Sequence, residues 1–460
     1  MTEENPNQSA GSQAQNWIDP SPGLARIGEA ARRDSTQRFT SLMHHLTPRL
    51  LHDSYRALKR DAAVGVDEQT WREYDAGNLD EQLLDLHGRV QSGRYRAHPS
   101  KRIYIAKDDG RKRPIGIAAL EDKIVQKATV HILNEIYEAD FLNFSYGFRP
   151  GRRPHQALDA VSVGIQRRHV NWILDMDLRN FFDLIDHEWM ERFLAHRIAD
   201  RRMIRLVKKW LRAGISEEGQ WSPTTVGTPQ GAVISPLLAN IYLHYVFDLW
   251  AQGWRQQQVQ GDVIIVRYAD DTVMGFKHVN EAERFLVASK GRLAKFGLAL
   301  NEDKTRLLEF GRFAASNRKE RGEGKPATFD FLGFTHMCGQ THKNGCFAVD
   351  RKPIAKRMSA KLMEIRRALL KERHAPVAEQ GRWLRSVVSG YFNYFAVPGT
   401  AERLNVFRNQ VNRHWFYALR RRSHKARALT WDRMQRLLDT WVPPVRILHP
   451  HPYDRFTTLI

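Results

Sequence analysis

Val263-Ile264-Ile265-Val266-Arg267-Tyr268-Ala269-Asp270-Asp271-Thr272-Val273-Met274 sets two adjacent carboxylates between two short apolar runs. Such runs, broken at Tyr268-Ala269-Asp270-Asp271, read as a hairpin with both carboxylates at its tip. Neighbouring carboxylates repel each other, so a fold keeps them together only with a compensating cation. Magnesium fits, because it takes hard oxygen ligands, often one or two carboxylates plus substrate phosphates. Two such ions can activate a 3′-hydroxyl and stabilise a leaving pyrophosphate oxygen, but they need a further carboxylate from elsewhere. Leu174-Asp175-Met176-Asp177, running on from Trp172-Ile173-Leu174, supplies one. The plainer reading of Asp270-Asp271 is a solvated turn. The apolar flanks, which hold the tip rigidly, weigh against it.

The bulk composition narrows the partner. With 460 residues and 42% hydrophobic residues the chain is globular and long enough for two to four domains. Lys and Arg number 72 against 51 Asp and Glu, a formal charge of +21. That imbalance exceeds what a solvated surface needs and points to a polyanion, nucleic acid before an anionic membrane. Two cysteines, Cys338 and Cys346, exclude a disulfide framework. No stretch approaches the roughly 18–20 apolar residues of a membrane helix, so no membrane partner is expected. The polar start carries no signal-peptide core, and a reducing cytoplasmic location follows.

Reading along the chain, residues 1–35 form a polar, flexible leader. Phe39, Leu42, Leu46, Leu50 and Leu51 suggest a helix that opens a helical extension over 36–100. A mixed body over 101–340 follows, with a strand at Arg102-Ile103-Tyr104-Ile105, a turn at Asp109-Gly110 and a helix from Asp122 to Ile136. Ser235-Pro236 suits a helix start, with the helix running to about Trp250. Residues 311–327 read as a basic loop. After 340 the chain turns helical and basic: Ile354, Met358, Leu362, Ile365 and Leu369 mark one apolar stripe, and a second basic helix spans about Val411–Arg427. This helical domain covers 341–430, and 431–460 is a C-terminal tail, Pro- and His-rich and irregular from Pro443-Pro444 onward.

The hairpin Tyr268-Ala269-Asp270-Asp271 resembles the YxDD signature of reverse transcriptases, and alanine in second place resembles the group II intron-encoded and related bacterial enzymes. Other blocks match in the family's order over about residues 60–335. Asp177-Leu178-Arg179-Asn180-Phe181-Phe182-Asp183 resembles the block with the first catalytic aspartate. Gly227-Thr228-Pro229-Gln230-Gly231 with Ser235-Pro236-Leu237-Leu238-Ala239-Asn240-Ile241 resembles the block lining the nucleotide site. Leu300-Asn301-Glu302-Asp303-Lys304-Thr305 and Phe331-Leu332-Gly333-Phe334 resemble the next two. Arg113-Pro114-Ile115-Gly116-Ile117 and Asp122-Lys123-Ile124-Val125-Gln126 resemble the fingers.

The resemblance implies an α+β right-hand polymerase, with fingers and a palm built on an antiparallel sheet, followed by an α-helical thumb or X domain. It implies an RNA-directed DNA polymerase with Asp177 and Asp270 bridging two Mg²⁺ ions and Asp271 close by. Asp175 and Asp183 then serve local contacts. Lys107, Arg113, Phe182, Gln230 and Lys304 are implied at the nucleotide, Phe182 as the ring that excludes a 2′-hydroxyl. Ile105-Ala106-Lys107 departs from the Ile-Pro-Lys of many relatives, which loosens the turn and keeps the cation. Beside these roles stand blander ones: a basic hairpin, a core ring next to Phe181, an ordinary turn.

Ser389-Gly390-Tyr391-Phe392-Asn393-Tyr394-Phe395 resembles the maturase X domain, and His414-Trp415 through Arg420-Arg421-Arg422-Ser423 extends the likeness. It implies binding of structured group II intron RNA, with Lys356, Arg357, Lys361, Arg366, Arg367, Arg420, Arg421 and Arg422 as phosphate contacts. Tyr391, Phe392 and Trp415 are read mainly as core. The implied partners are an RNA template, intron RNA, a DNA or RNA primer and dNTPs, in the bacterial cytoplasm; a homodimer is left open. No HNH-type endonuclease segment is read before Ile460. Enzymes domesticated for defence or repair, non-catalytic splicing cofactors and RNA-dependent RNA polymerases are the competing classes. His336, Cys338, His342 and Cys346 are too irregularly spaced for zinc and are read as a packed strand pair and loop.

Overall fold

The computed structural model describes residues 21–106, 112–341 and 345–456. It divides into two compact units, one of Met1–Ala157, Leu174–Met274 and Asn280–Arg306, the other of Leu158–Ile173, Gly275–Val279 and Leu307–Ile460.

The first unit is organised on the helix Leu120–Asp140, most of whose residues are buried, including Ile124, Val125, Ile132, Leu133, Ile136 and Tyr137. Against it packs a helix over Pro22–Arg33, inside the stretch read from sequence as a flexible leader. An amphipathic pattern was present there: Leu24, Ile27 and Ala31 fall on one face and are buried. Buried Arg197 fixes the helix end by donating to the carbonyls of Ala31, Asp34 and Gln37. The expected helix through Phe39–Leu51 is broken instead. Asp200 accepts from the backbone N–H groups of Leu42 and Met43, which leaves only a short turn. A new helix, Pro48–Arg56, then starts with Thr47 as its cap and proline in its first turn.

Strand β1 (Ser100–Ala106) pairs antiparallel with β2 (Lys112–Ile117), Ala106 opposite Lys112. The turn expected at Asp109-Gly110 and the candidate Lys107 lie outside the described residues. β3 (Trp172–Met176) follows, and β4 (Ile215–Glu217) and β5 (Gln220–Ser222) complete a four-stranded sheet in the order β2-β1-β4-β5. β6 (Val263–Tyr268) and β7 (Asp271–Phe276) are the strands read from the apolar runs; with β8 (Arg306–Glu309) they form a sheet in the order β6-β7-β3-β8.

The second unit holds a three-stranded antiparallel sheet, β9 (Phe329–Phe331), β10 (Phe334–Gln340) and β11 (Phe347–Pro353). Its helices Ala355–Lys371, Val377–Phe395, Ala401–Arg420 and Trp431–Trp441 enclose one core of Leu362, Ile365, Leu384, Tyr391, Phe407 and Trp415. The C-terminal tail opens with the helix Trp431–Trp441, capped by Thr430; the part read as irregular holds a short helix over Pro452–Phe456, and the basic stretch 311–327 contains a helix over Ala314–Glu320.

Candidate active site

Asp177 follows directly on β3, whose Ile173 and Leu174 are fully buried, so its backbone has little freedom. The segment after Leu300 wraps around it. Asn301 donates its backbone N–H to the Asp177 carbonyl at 2.8 Å and its Nδ2 to Oδ2 at 3.0 Å. Lys304 Nζ lies 3.2 Å from the same carboxylate. Lys304, placed at the nucleotide by sequence reading, is therefore also the resident cation of Asp177.

The hairpin tip is two residues long, and Ala269 sits in the left-handed region at φ 56°. Side chains disfavour that conformation, so the surroundings must impose it. Much of the support comes from residues the sequence reading passed over. Arg267, 1% exposed, points into the unit and pairs with fully buried Asp248. Its NH1 group donates to the Ala269 carbonyl at 2.9 Å. Gly147 closes the tip from below: a Cβ there would come within 2.3 Å of the Ala269 nitrogen. The Gly147 carbonyl accepts from Asn240 Nδ2 at 2.7 Å. Asn240 and Asp248 reach one guanidinium because the helix starting at Ser235 widens into a π segment over His244–Asp248. An arginine inside an apolar strand was a visible signal. Its partner, nineteen residues away on a helix, was not.

The carboxylates strain one another. Burial is the first cause that raises the Asp270 pKa, and Asp177 adds to it while Arg113 and Lys304 oppose. Asp271 reaches solvent, yet crowding by protein and then Asp270, Asp177 and Asp175 push it up to about 7. A raised folded pKa means the native state holds this proton more tightly than the unfolded chain. The Asp271 carboxyl therefore disfavours folding increasingly as pH climbs from about 4, its unfolded range, through 7. We expect the melting temperature of Asp271→Asn minus that of the parent, in chelator, to grow from pH 4 to pH 8. Magnesium should shrink the gap. A gap independent of pH would show that Asp271 is not strained.

No group of three His, Cys, Asp or Glu side chains among the described residues forms a ready-made metal cage. The donor chemistry nonetheless suits a hard divalent cation: all oxygen, mutually repelling, and open on the Asp271 side to ligands from a substrate.

Among the residues expected at the nucleotide from the sequence, Arg113 Nε donates to Gln230 Oε1 at 2.7 Å, and Gln230 Nε2 reaches Asp183 Oδ1 at 3.5 Å. The loop Gly227–Ala232 stacks on β2: Gly116 N–H donates to the Gln230 carbonyl at 2.7 Å, and Gly231, at φ 113°, would place a Cβ 2.7 Å from Ile115. The close approach that Gly231 permits is thus to β2. Ser235, read as a helix cap, turns its hydroxyl to Thr228 (2.6 Å) and the Pro229 carbonyl (3.0 Å) and so fastens the loop. Phe181 and Phe182 meet edge to face at 5.4 Å. Phe181 is the more enclosed at 2% exposure, and Phe182, at 8%, keeps a rim open.

Residues 105–336, half of the chain, match the family described as reverse transcriptase (RNA-dependent DNA polymerase). The chain belongs to the reverse transcriptase family. Over 256 residues it is 33% identical to Protein YkfC of Escherichia coli K12, covering 49% of this chain and 67% of that protein. Over 226 residues it is 35% identical to the group II intron-encoded protein LtrA of Lactococcus lactis subsp. cremoris, covering 48% of this chain and 37% of that one. A putative COX1/OXI3 intron 2 protein of Saccharomyces cerevisiae is 34% identical over 166 residues, covering 35% of this chain and 19% of the yeast one.

In this reverse transcriptase the basic residues singled out for RNA divide into two sets. Lys356, Arg357, Arg366, Arg367 and Arg421 have exposed side chains. Lys361 pairs with Glu364 at 2.8 Å, and Arg420 and Arg422 donate to the carbonyls of Arg427 and His374. These three carry local structure as well. Tyr391, Phe392 and Trp415 are core, as read. His336 is fully buried in the strand pair and stacked on Phe329; His342 lies outside the described residues. No helix among the described residues is long and apolar enough to cross a membrane.

Proposed function

We propose that this reverse transcriptase extends a primer 3′-hydroxyl with deoxynucleotides on an RNA template. The observation that carries the reading is the crowding of Asp270 and Asp271 by each other's charge and by that of Asp177, beside Arg113 and Lys304. Three repelling carboxylates next to two cations suit a polyanionic substrate delivered with divalent metal. Asp177, Asp270 and Asp271 would hold Mg²⁺, two ions by the family's pattern, and bound metal would lower the hydroxyl pKa and neutralise phosphate charge. The hydroxyl oxygen attacks the α-phosphorus in line and gives its proton to solvent; the new P–O bond forms, the bond from the α-phosphorus to the bridging oxygen breaks, and pyrophosphate leaves. Arg113 offers a forked donor to phosphate oxygens, and Lys304 a mobile ammonium released from Asp177 when other cations arrive. On this reading β2-β1-β4-β5 belongs to the fingers, the sheet bearing the carboxylates to the palm, and the helical core around Trp415 to the thumb.

Phe182 selects the sugar by excluding the 2′-hydroxyl. Phe182→Ala is expected to lower dNTP over NTP preference by about 10- to 100-fold, in line with the discrimination one packing contact supplies. Competitive single-nucleotide extension measures this, and an unchanged ratio would remove Phe182 from the role.

We further propose that the RNA it serves is a structured group II intron, which it also helps to splice. The intron-encoded relatives support this, as do the exposed Lys356, Arg357, Arg366, Arg367 and Arg421. Reversing those five charges should abolish tight, salt-sensitive intron binding while leaving single-nucleotide addition on a short duplex intact. Equal binding by the variant would place the intron surface elsewhere.

A further inference from the structure

Arg267 is buried away from any contact a substrate could make, yet every N–H of its guanidinium has a partner. A guanidinium has five N–H donors in a fixed fork. Here five acceptors meet them: Nε donates to Asp248 Oδ1 at 2.7 Å, NH1 to Asn240 Oδ1 at 3.1 Å and to the Ala269 carbonyl at 2.9 Å. NH2 donates to Ser145 Oγ at 2.7 Å and to Asp248 Oδ2 at 2.5 Å. One of the five is the carbonyl of the left-handed residue at the tip; the next residue is Asp270.

We propose that Arg267 is a positioning residue for the polymerase site. Held by Asp248 from the π segment, it fixes the Ala269 peptide and so aims Asp270 and Asp271 at their shared cation. Charge neutrality alone would not require this arrangement, since a lysine would satisfy Asp248. The fork is required because four separate groups, on three segments of the chain, must be held at once. Ser145 and Asn240 join the same scaffold to Gly147, whose backbone lies against the Ala269 nitrogen. The tip is thereby gripped at both its carbonyl and its amide side.

The inference rests on the carboxylates being the metal site of the proposed function, and the test separates the two. The Arg267→Lys full-length protein is compared with the parent in three measurements: melting temperature, Mn²⁺ affinity by calorimetry without nucleotide, and Mg²⁺ dependence of primer extension. We expect Mn²⁺ to bind at least about tenfold more weakly and the Mg²⁺ requirement to rise in parallel. A further variant, Arg267→Lys with Ala269→Gly, should recover part of the lost affinity, because glycine adopts the left-handed turn without help. Folded Arg267→Lys protein with parental Mn²⁺ affinity and Mg²⁺ dependence would overturn the proposal. So would loss of affinity that Ala269→Gly leaves untouched. Should Arg267→Lys fail to fold, Ser145→Ala, which removes one of the five bonds, is expected to give a smaller shift in the same direction; no shift would again overturn it. A parent protein that binds Mn²⁺ but extends no primer would instead count against the proposed function.

Discussion

Asp270→Asn should cut primer extension by on the order of a thousandfold or more while leaving the protein folded and able to bind RNA. Losing one preorganised electrostatic group at a reacting centre commonly costs 10²- to 10³-fold, about 3–4 kcal/mol of barrier. Here the lost group is also a metal ligand with a like-charged neighbour on each side, Asp271 in sequence and Asp177 in space. The same repulsion makes the stability effect run the opposite way. Replacing the Asp270 carboxylate by a neutral amide removes one of the charges that raise Asp271, whose pKa should fall toward the ordinary carboxylate range. In chelator the variant should therefore melt at or above the parental temperature. Rate loss together with equal or greater stability is a signature that a merely structural aspartate would not give. Single-turnover extension and a melting curve on the same preparation measure both halves. A variant that extends at the parental rate would remove Asp270 from the chemistry.

Trp415→Ala should destabilise the second unit by about 3–5 kcal/mol, the usual range for emptying a buried tryptophan site. Trp415 is fully enclosed, and its Nε1 donates to Gln380 Oε1 at 3.0 Å. Gln380 in turn gives its Nε2 to the carbonyls of Glu372, Arg373 and Ala375, which close the turn between two helices. The substitution thus leaves a cavity and strips one partner from a buried amide, and both effects act in one direction. Thermal unfolding should shift down by roughly 10 °C for a unit of this size. Tyr417→Ala, on the same helix at 58% exposure, is the control and should stay within about 0.5 kcal/mol. If Trp415 worked by stacking on bases, RNA affinity would fall with stability unchanged, the reverse of what burial implies.

How far the chain could be read in advance depended on whether the signal was local. β3, β6 and β7 were legible because apolar runs bounded by acidic residues name their own ends; the hairpin turns where that pattern put it, with Asp270 in the two-residue tip and Asp271 opening β7. The helix Pro22–Arg33 was hidden by the polar composition around it, although Leu24, Ile27 and Ala31 carried its apolar face. The break near Leu42 was invisible, since it depends on Asp200 arriving from 158 residues away. The scaffold of the site follows the same rule. Asp177 announced itself at the end of a strand, whereas the Arg267, Asp248, Asn240 and Ser145 cluster exists only once three distant segments meet. Ser235 shows the limit of motif reading: the residue type marked the helix start correctly, but its hydroxyl serves the Thr228-Pro229 loop.

One extension assay decides whether the chain builds DNA on RNA. The full-length protein is given a primer annealed to an RNA template, Mg²⁺, and either dNTPs or NTPs. Template-directed extension is expected with dNTPs, abolished by chelator and weak with NTPs. No extension with dNTPs, or extension with NTPs at an equal rate, would show that the chain is not an RNA-directed DNA polymerase.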